Sequence, residues 1–271
     1  MIAISYSGGK DSNAMLIKAI EEGIEFKAVY QDTGFEHSSH YDYIRYVEKA
    51  LCVEIEFVKS KKYNGMIDMI EKKVMLPASH SRFCTDNLKQ QPFKEWLGSR
   101  VDEIKEVWIG VRTAESRARA ERYGGIDPED TFPLSEFPIY GKRKFGHIDC
   151  RLPIVTWTDE EVWESHYRHN LKRNPAYDIG AKRVGCFPCL MAGDSSFWTV
   201  WQTEEGRRNI EKLADLEDFV NKTRESEDRT HDYRIRRKGS MRNLIETFKL
   251  KDTQQDMFND SCDLSCSWCQ G

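Results

Sequence analysis

Nowhere in the 271 residues does an apolar run approach the length of a bilayer, so a membrane-spanning helix is excluded. The chain also lacks internal repeats and low-complexity tracts, which excludes the repeat architectures. An excess of charge of one sign is missing too. The 41 Lys and Arg residues face 45 Asp and Glu residues for a formal net charge of −4, giving no global mark of a nucleic-acid binder. No leader-like segment precedes the first apolar strand, and the expected location is cytoplasmic. What remains is an ordinary globular mixture, 39% hydrophobic and 32% charged, long enough for one α/β domain and a smaller appendage.

Strands are expected at residues 1–6, 26–30, 53–58 and 107–111. Helices are expected between them at residues 13–20, 41–51, 63–73 and 91–97. Such alternation predicts an α/β fold with a doubly wound parallel sheet, its ligands at the carboxyl ends of the strands. Residues 122–151, rich in Gly and Pro, read as a long loop or small insertion. From Thr158, read as a helix cap, the pattern turns helical, with further helices expected at 195–202, 204–223 and 240–248. The expected division is therefore a nucleotide-binding α/β domain over 1–155 and a mainly helical region over 156–271.

The most informative stretch is Ser7-Gly8-Gly9-Lys10-Asp11-Ser12, set between a strand and a helix. Two glycines allow close backbone approach. The free N–H groups at the helix start, its dipole, Lys10 and the Ser hydroxyls all favour a phosphate or sulfate. The loop is not of the G-x-x-x-x-G-K-[ST] form, which excludes a Walker-A site. Asp11 and Asp32 are candidates to hold Mg²⁺ through water beside phosphates. Asp32 reads equally well as the first residue of a turn-forming Asp-x-Gly. Arg112 and Arg119 lie seven apart and would share one face of a helix, as an anion clamp or as partners of Glu115 and Glu121.

Eight cysteines are present: Cys52, Cys84, Cys150, Cys186, Cys189, Cys262, Cys266 and Cys269. In an intracellular α/β enzyme, clustered cysteines point to metal or redox chemistry rather than disulfides. Cys186-x-x-Cys189 is a knuckle suited to zinc, iron–sulfur or redox exchange, and Cys262, Cys266 and Cys269 form a second array. Zinc on Cys186, Cys189, Cys266 and Cys269 is one alternative, and idle terminal thiols are another. Cys52 and Cys150 read as small buried hydrophobes. His37 and His40 read as turn or surface residues. The basic stretch Arg234-Ile235-Arg236-Arg237-Lys238 with Arg242, joined by Lys59, Lys61 and Lys62, is a candidate nucleic-acid grip, with a solvated face as the plainer reading.

The Ser7–Ser12 loop resembles the pyrophosphate loop of the ATP-pyrophosphatase (PP-loop) superfamily, whose fold is adenine nucleotide alpha hydrolase-like. Further motifs narrow the resemblance to the phosphoadenosine phosphosulfate (PAPS/APS) reductase family. They are Ser81-Arg82-Phe83-Cys84-Thr85 with Lys89 and Pro92, and Gly110-Val111-Arg112 with Glu115-Ser116 and Arg119. Pro153-Ile154 with Trp157-Thr158, Asn174-Pro175-Ala176-Tyr177-Asp178 and Gly185-Cys186-Phe187-Pro188-Cys189 complete the set. The resemblance implies that Ser7, Gly8, Gly9, Lys10, Asp11, Ser12, Asp32, Gly110, Arg112 and Ser116 bind ATP and Mg²⁺. It implies catalytic roles for Lys10, Asp11, Arg112 and Arg119.

In the iron–sulfur members a Cys-Cys pair and a later Cys-x-x-Cys hold a [4Fe–4S] cluster. Here the pair is Cys84-Thr85, leaving Cys84, Cys186 and Cys189, with a tail cysteine or an open iron site to complete the set. The plan is closest to enzymes of DNA phosphorothioation and tRNA thiolation. It implies adenylation of an acceptor followed by sulfur insertion, with a cysteine desulfurase as donor and DNA, tRNA or a nucleotide as acceptor. A sulfonucleotide reductase is the alternative, although the loop has the ATP-cleaving form and the tail lacks Glu-Cys-Gly-x-His. A nucleotide- or redox-responsive subunit of a modification or defence complex is a third reading, and oligomeric state stays open.

Overall fold

The computed structural model describes residues 1–137, 139–226, 233–236 and 238–263, with side chains through residue 254. Six strands form one sheet: β1 (Ile2–Tyr6), β2 (Phe26–Asp32), β3 (Ile55–Lys59), β4 (Glu106–Trp108), β5 (Thr131–Pro133) and β6 (Asp149–Arg151). Their order is β3-β2-β1-β4-β6-β5. All pairings are parallel except β5 with β6. β1 is an almost continuous apolar run because both of its faces are covered, as central parallel strands require. Ile4 pairs with Ala28 on one side and Trp108 on the other. The chain therefore leaves β1 towards β2 and later returns to its opposite edge, so the switch point of the sheet lies between β1 and β4.

The helices of this part are α1 (Lys10–Glu21), α2 (Ser38–Leu51), α3 (Met66–Lys73), α4 (Phe83–Thr85), α5 (Gln91–Gly98), α6 (Arg117–Tyr123), α7 (Lys142–Phe145) and α8 (Asp159–Arg168). One core layer joins Ile4, Tyr6, Met15 and Leu16 to Ile44, Val47 and Trp108. A second joins Ala3, Val29, Phe93 and Leu97 to Val107, Ile148 and Cys150. α8 carries a full capping box, Thr158 accepting from Glu161 N–H and the Glu161 side chain accepting from Thr158 N–H.

Several expectations need correction. The region 122–151 is not one loop: it holds β5, α7 and β6, elements too short for hydrophobic periodicity to reveal. β5 makes the sheet mixed, and Pro133 sits on its edge, where a missing N–H costs nothing. The third strand starts at Ile55 rather than 53. The helix expected from 63 starts at Met66, because Gly65 turns the chain at φ +109° and Met66 N–H bonds Thr33 O. The strand expected to reach 111 ends at Trp108, so Gly110 and Val111 lie beyond the sheet. Cys150 is buried, but Cys52 is exposed at the C-cap of α2 with φ 54°.

The chain divides into two compact units, one of Met1–Met69 with Ser81–Phe187, the other of Ile70–His80 with the chain from Pro188 onward. The boundary thus falls after Phe187 rather than after 155. Residues 156–187 fold back onto the first unit: α8 packs on α1, and Asn174 Nδ2 donates to Gly8 O at 3.2 Å. The second unit contains α9 (Asp194–Trp201), α10 (Glu204–Glu225) and α11 (Met241–Asp263). Phe197, Trp201, Ile210, Leu213, Leu244 and Phe248 form its interior, with the Trp198 and Phe248 rings 5.1 Å apart. The buried Glu217 carboxylate accepts from Ile235 N–H at 2.8 Å and Met241 N–H at 2.7 Å, tying the approach to α11 onto α10. No described helix is long and apolar enough to cross a membrane.

Candidate nucleotide site

A cavity of about 640 Å³ opens at the carboxyl ends of β1 and β4, lined by residues 5–7, 9–12, 109–112 and 182–185, among others. Its size suits a mononucleotide. The loop after β1 turns at Gly8, φ +70°, where a β-carbon would overlap His40 Cε1 and stand 2.9 Å from Nε2. His40 therefore forms the floor under the loop. Its Nδ1 meets Asn174 Nδ2 at 3.1 Å, and its ring lies 5.5 Å from that of Tyr30. Burial pushes the imidazole down to about 4, with Lys89 acting in the same direction, so it is neutral near pH 7. His40 is 2% exposed, not a surface residue as expected, whereas His37 N-caps α2 by accepting from Ser39 N–H.

The loop is braced from within. Ser12 Oγ donates to Gly9 O at 2.9 Å, Ser7 Oγ to Ser12 Oγ at 3.2 Å, and Tyr6 OH to Asn13 Oδ1 at 2.8 Å. Lys10 N–H, the first amide of α1, donates to Tyr177 OH at 3.0 Å, and Lys10 O meets His166 Nε2 at 3.0 Å. Burial raises the Tyr177 phenol to about 12, so it is a neutral acceptor.

Charged groups converge beside the loop. Lys10 Nζ lies 2.5 Å from Asp159 Oδ1 and 5.7 Å from the centre of the Trp163 ring. Arg112 is 1% exposed, and all three of its guanidinium nitrogens are engaged: Nε donates to Asp11 Oδ1 at 2.5 Å, Nη1 to Trp157 O at 3.0 Å and Nη2 to Asp159 Oδ1 at 2.5 Å. Hydrogen bonds from Lys10 and Arg112 hold Asp159 below the usual carboxylate range. Arg119 pairs with Glu115, which Arg183 also reaches at 3.2 Å. Burial and neighbouring Arg183 lower the Arg119 guanidinium. Lys10, Lys89, Arg112, Arg119, Lys182 and Arg183 line the cavity against Asp11, Glu36, Glu115 and Asp159, a balance that favours an anionic ligand.

The structure brings Ser7, Gly9, Lys10, Asp11, Ser12, Gly110, Arg112 and Arg119 to this cavity. At Gly110 a β-carbon would stand 2.9 Å from Met15 Cε, the end of a flexible side chain on α1. Arg112 and Arg119 do not share a helix face. Arg112 is extended, a 3₁₀ turn follows at Thr113–Glu115, and Ser116 starts α6 as its N-cap, with an exposed side chain directed to Arg119 N–H. Asp32 is not among the cavity-lining residues. Although burial opposes it, hydrogen bonds from Lys59, Gly34 N–H and Tyr41 hold its carboxylate below the usual range, which makes it the turn Asp-x-Gly. Arg112 Nε engages Asp11 Oδ1 at the cavity, whereas both oxygens of Asp32 are taken up by Gly34 N–H, Tyr41 OH and Lys59 in the turn.

Glu36 and Asp159 were not expected. Glu36 is buried and accepts from Thr33 N–H and Oγ1, Phe35 N–H and Tyr41 OH. The one signal for Asp159 was its place directly after the Thr158 cap, in the first turn of a helix.

Cys84, on α4, stands one residue before cavity-lining Thr85, and Cys186 one residue after Gly185. Cys186 Sγ lies 3.3 Å from Thr33 Oγ1, and its backbone bridges that of Glu36. Cys189 is exposed and belongs to the second unit. None of the five cysteines with described side chains is in a disulfide. Among the described residues no three His, Cys, Asp or Glu side chains gather as a metal site, so the expected [4Fe–4S] or zinc set is not assembled there. The side chain of Cys262, and Cys266 and Cys269 entirely, lie outside the described residues. The basic stretch is largely paired: Arg236 with Asp194 at 2.6 Å, Arg242 with Asp215 and Asp218, Lys59 with Asp32 and Lys61 with Glu95. Arg237 lies outside the described residues.

Comparison with known proteins bears on this geometry. An uncharacterized 37.8 kDa protein of Escherichia phage 186 is 28% identical over 80% of this chain and 74% of its own length. The adenosine 5'-phosphosulfate reductase of Bacillus mycoides is 44% identical over 62% of this chain and 64% of its own. Two other curated relatives, both from Methanocaldococcus jannaschii, are covered over only 44% and 36% of their length. The crystal structure of phosphoadenylyl-sulfate reductase from Candida auris superposes with a TM-score of 0.50 at 17% identity, over 69% of this chain and 81% of that one, a likeness of fold. Residues 1–192 match the phosphoadenosine phosphosulfate reductase domain, and the chain belongs to that family.

Proposed function

We propose that the cavity binds ATP and that the chain is an ATP pyrophosphatase that adenylates an acceptor for sulfur insertion. The observation that carries this is the Ser7–Ser12 loop, pinned over His40 at Gly8 and presenting Lys10 to the cavity. An acceptor oxygen attacks the α-phosphorus, the bond from that phosphorus to the bridging oxygen breaks, and pyrophosphate leaves. Lys10 and the positive end of α1 stabilise the departing charge. A sulfur nucleophile then displaces AMP from the adenylated acceptor. The sulfur comes from a cysteine desulfurase, and the acceptor is DNA, tRNA or a nucleotide. No step is assigned to Mg²⁺ or to a cluster, for which the described side chains offer no assembled site.

A second reading, reduction of a sulfonucleotide to sulfite, is favoured by the 44% identity to an adenosine 5'-phosphosulfate reductase. One experiment separates them: the purified chain, given a thiol donor, is assayed for pyrophosphate release from ATP in the presence of DNA or bulk tRNA as acceptor, and for sulfite release from adenylyl sulfate and its 3'-phosphorylated form. Pyrophosphate release that falls about 100-fold in Lys10→Ala supports the first reading. Sulfite release without ATP cleavage replaces it with the second. Pyrophosphate release undiminished by Lys10→Ala contradicts the role given to the loop.

A further inference from the structure

We infer that Asp159 is an internal stand-in for a phosphate oxygen of the ligand, and that its carboxylate sets how tightly the site holds an anion. This rests on the nucleotide reading above. Two cations, Lys10 Nζ and Arg112 Nη2, converge on the single oxygen Asp159 Oδ1, each at 2.5 Å. That is the arrangement a phosphate oxygen would meet.

The two sides of the contact differ in mobility. Arg112 is 1% exposed and anchored by Asp11 and Trp157 O, so it holds its place without Asp159. The Lys10 side chain is 13% exposed and rests over the Trp163 ring. The Asp159 side chain is 58% exposed, sits in the first turn of α8, and has no other described partner for its carboxylate. It can rotate into solvent while the two cations stay, leaving a ready-made hole for an anion. Tyr177 repeats the device at the adjoining donor, its neutral hydroxyl occupying the Lys10 N–H at the positive end of α1. Binding phosphate therefore exchanges an internal acceptor for an oxygen of the ligand. The carboxylate competes for the same two cations and repels the arriving charge.

The test is isothermal titration of the full chain with inorganic pyrophosphate and with ATP, at low and moderate salt, for the wild type, Asp159→Asn and Asp159→Ala. Circular dichroism melts confirm that each is folded, and the exposed position of Asp159 makes both substitutions tolerable. Asp159→Asn is expected to bind pyrophosphate about fivefold to tenfold more tightly, with a steeper loss of affinity on adding salt. A residue that merely positioned Lys10 would give the opposite sign. Unchanged or weaker binding in both folded variants overturns the inference and leaves the nucleotide reading intact. No binding of either probe to wild type or variants overturns the nucleotide reading itself.

Discussion

Replacing Gly8 with Ala probes the joint on which the site depends. Gly8 has φ +70°, and its missing side chain is the space taken by His40. An L-residue in the left-handed region costs about 1–2 kcal/mol. Forcing a methyl against a ring in a packed interior adds about 1–3 kcal/mol. His40 has no retreat: it is 2% exposed, bonded to Asn174 and packed on Tyr30. The expected loss is therefore about 2–5 kcal/mol in urea unfolding, together with loss of pyrophosphate binding as the loop lifts. The decisive measurement is the cycle of Gly8→Ala, His40→Ala and the double variant. Removing the ring relieves the overlap but not the backbone strain, so the double variant should be about 1–3 kcal/mol more stable than the sum of the singles. A Gly8→Ala variant within about 0.5 kcal/mol of wild type, or an additive cycle, would refute the claim that Gly8 and His40 are in contact by design.

His40 also gives a pH signature. Its folded value, near 4, lies below the ordinary 6.5, so the unfolded chain takes up the proton first. Its contribution is whole above about pH 6.5 and is lost as pH falls towards 4, amounting to about 2 kcal/mol between pH 7 and 4.5, and this slope should be missing in His40→Asn urea melts. Arg112→Lys cannot reach Asp11, Trp157 O and Asp159 together, and denaturant unfolding should register a cost of about 2–4 kcal/mol. Glu217→Leu leaves the Ile235 and Met241 amides without this acceptor in the second unit and should cost about 2–4 kcal/mol, seen as a lower urea midpoint. Iron, sulfide and zinc analysis of anaerobically purified protein, beside Cys84→Ser, tests the expected cluster. Iron and sulfide with broad absorption at about 400 nm, lost in Cys84→Ser, would support it, and stoichiometric zinc unaffected by the variant would count against it.

The parallel core of the fold was legible because its elements are long and one-sided in pattern. The apolar run of β1, the helix after Gly9 and the capping box at Thr158 each follow from local chemistry. β5, α7 and β6 span three or four residues each, too few to repeat either period and so to announce a pattern. The unit boundary was misplaced for a related reason. Residues 156–187 look like the start of a helical appendage, yet what fixes them to the first unit is contact with distant residues: Asn174 with Gly8, Tyr177 with Lys10 and Phe187 N–H with Phe35 O at 2.7 Å.

The site divides along the same line. Ser7 to Ser12 could be read because a phosphate loop is a local motif, its glycines, lysine and helix start contiguous in the chain. The partners that decide what those residues do are remote. Arg112 has the composition of an anion clamp, but its Nε, Nη1 and Nη2 donate to Asp11, Trp157 O and Asp159, groups brought together by the return of β4 and α8 to the β1 tip. A guanidinium that is 1% exposed can offer a ligand only the Nη2 edge that Asp159 now occupies, because Nε and Nη1 stay bonded to Asp11 and Trp157 O. Its bonds to Asp11 and Trp157 O make it a strut between α1 and the segment that enters α8, which fixes where Lys10 and Asp159 meet. The charge offered to a ligand is then set by what lies within reach of Lys10. That makes Asp159, a carboxylate with no motif of its own, the residue whose removal should change anion affinity without disturbing the strut.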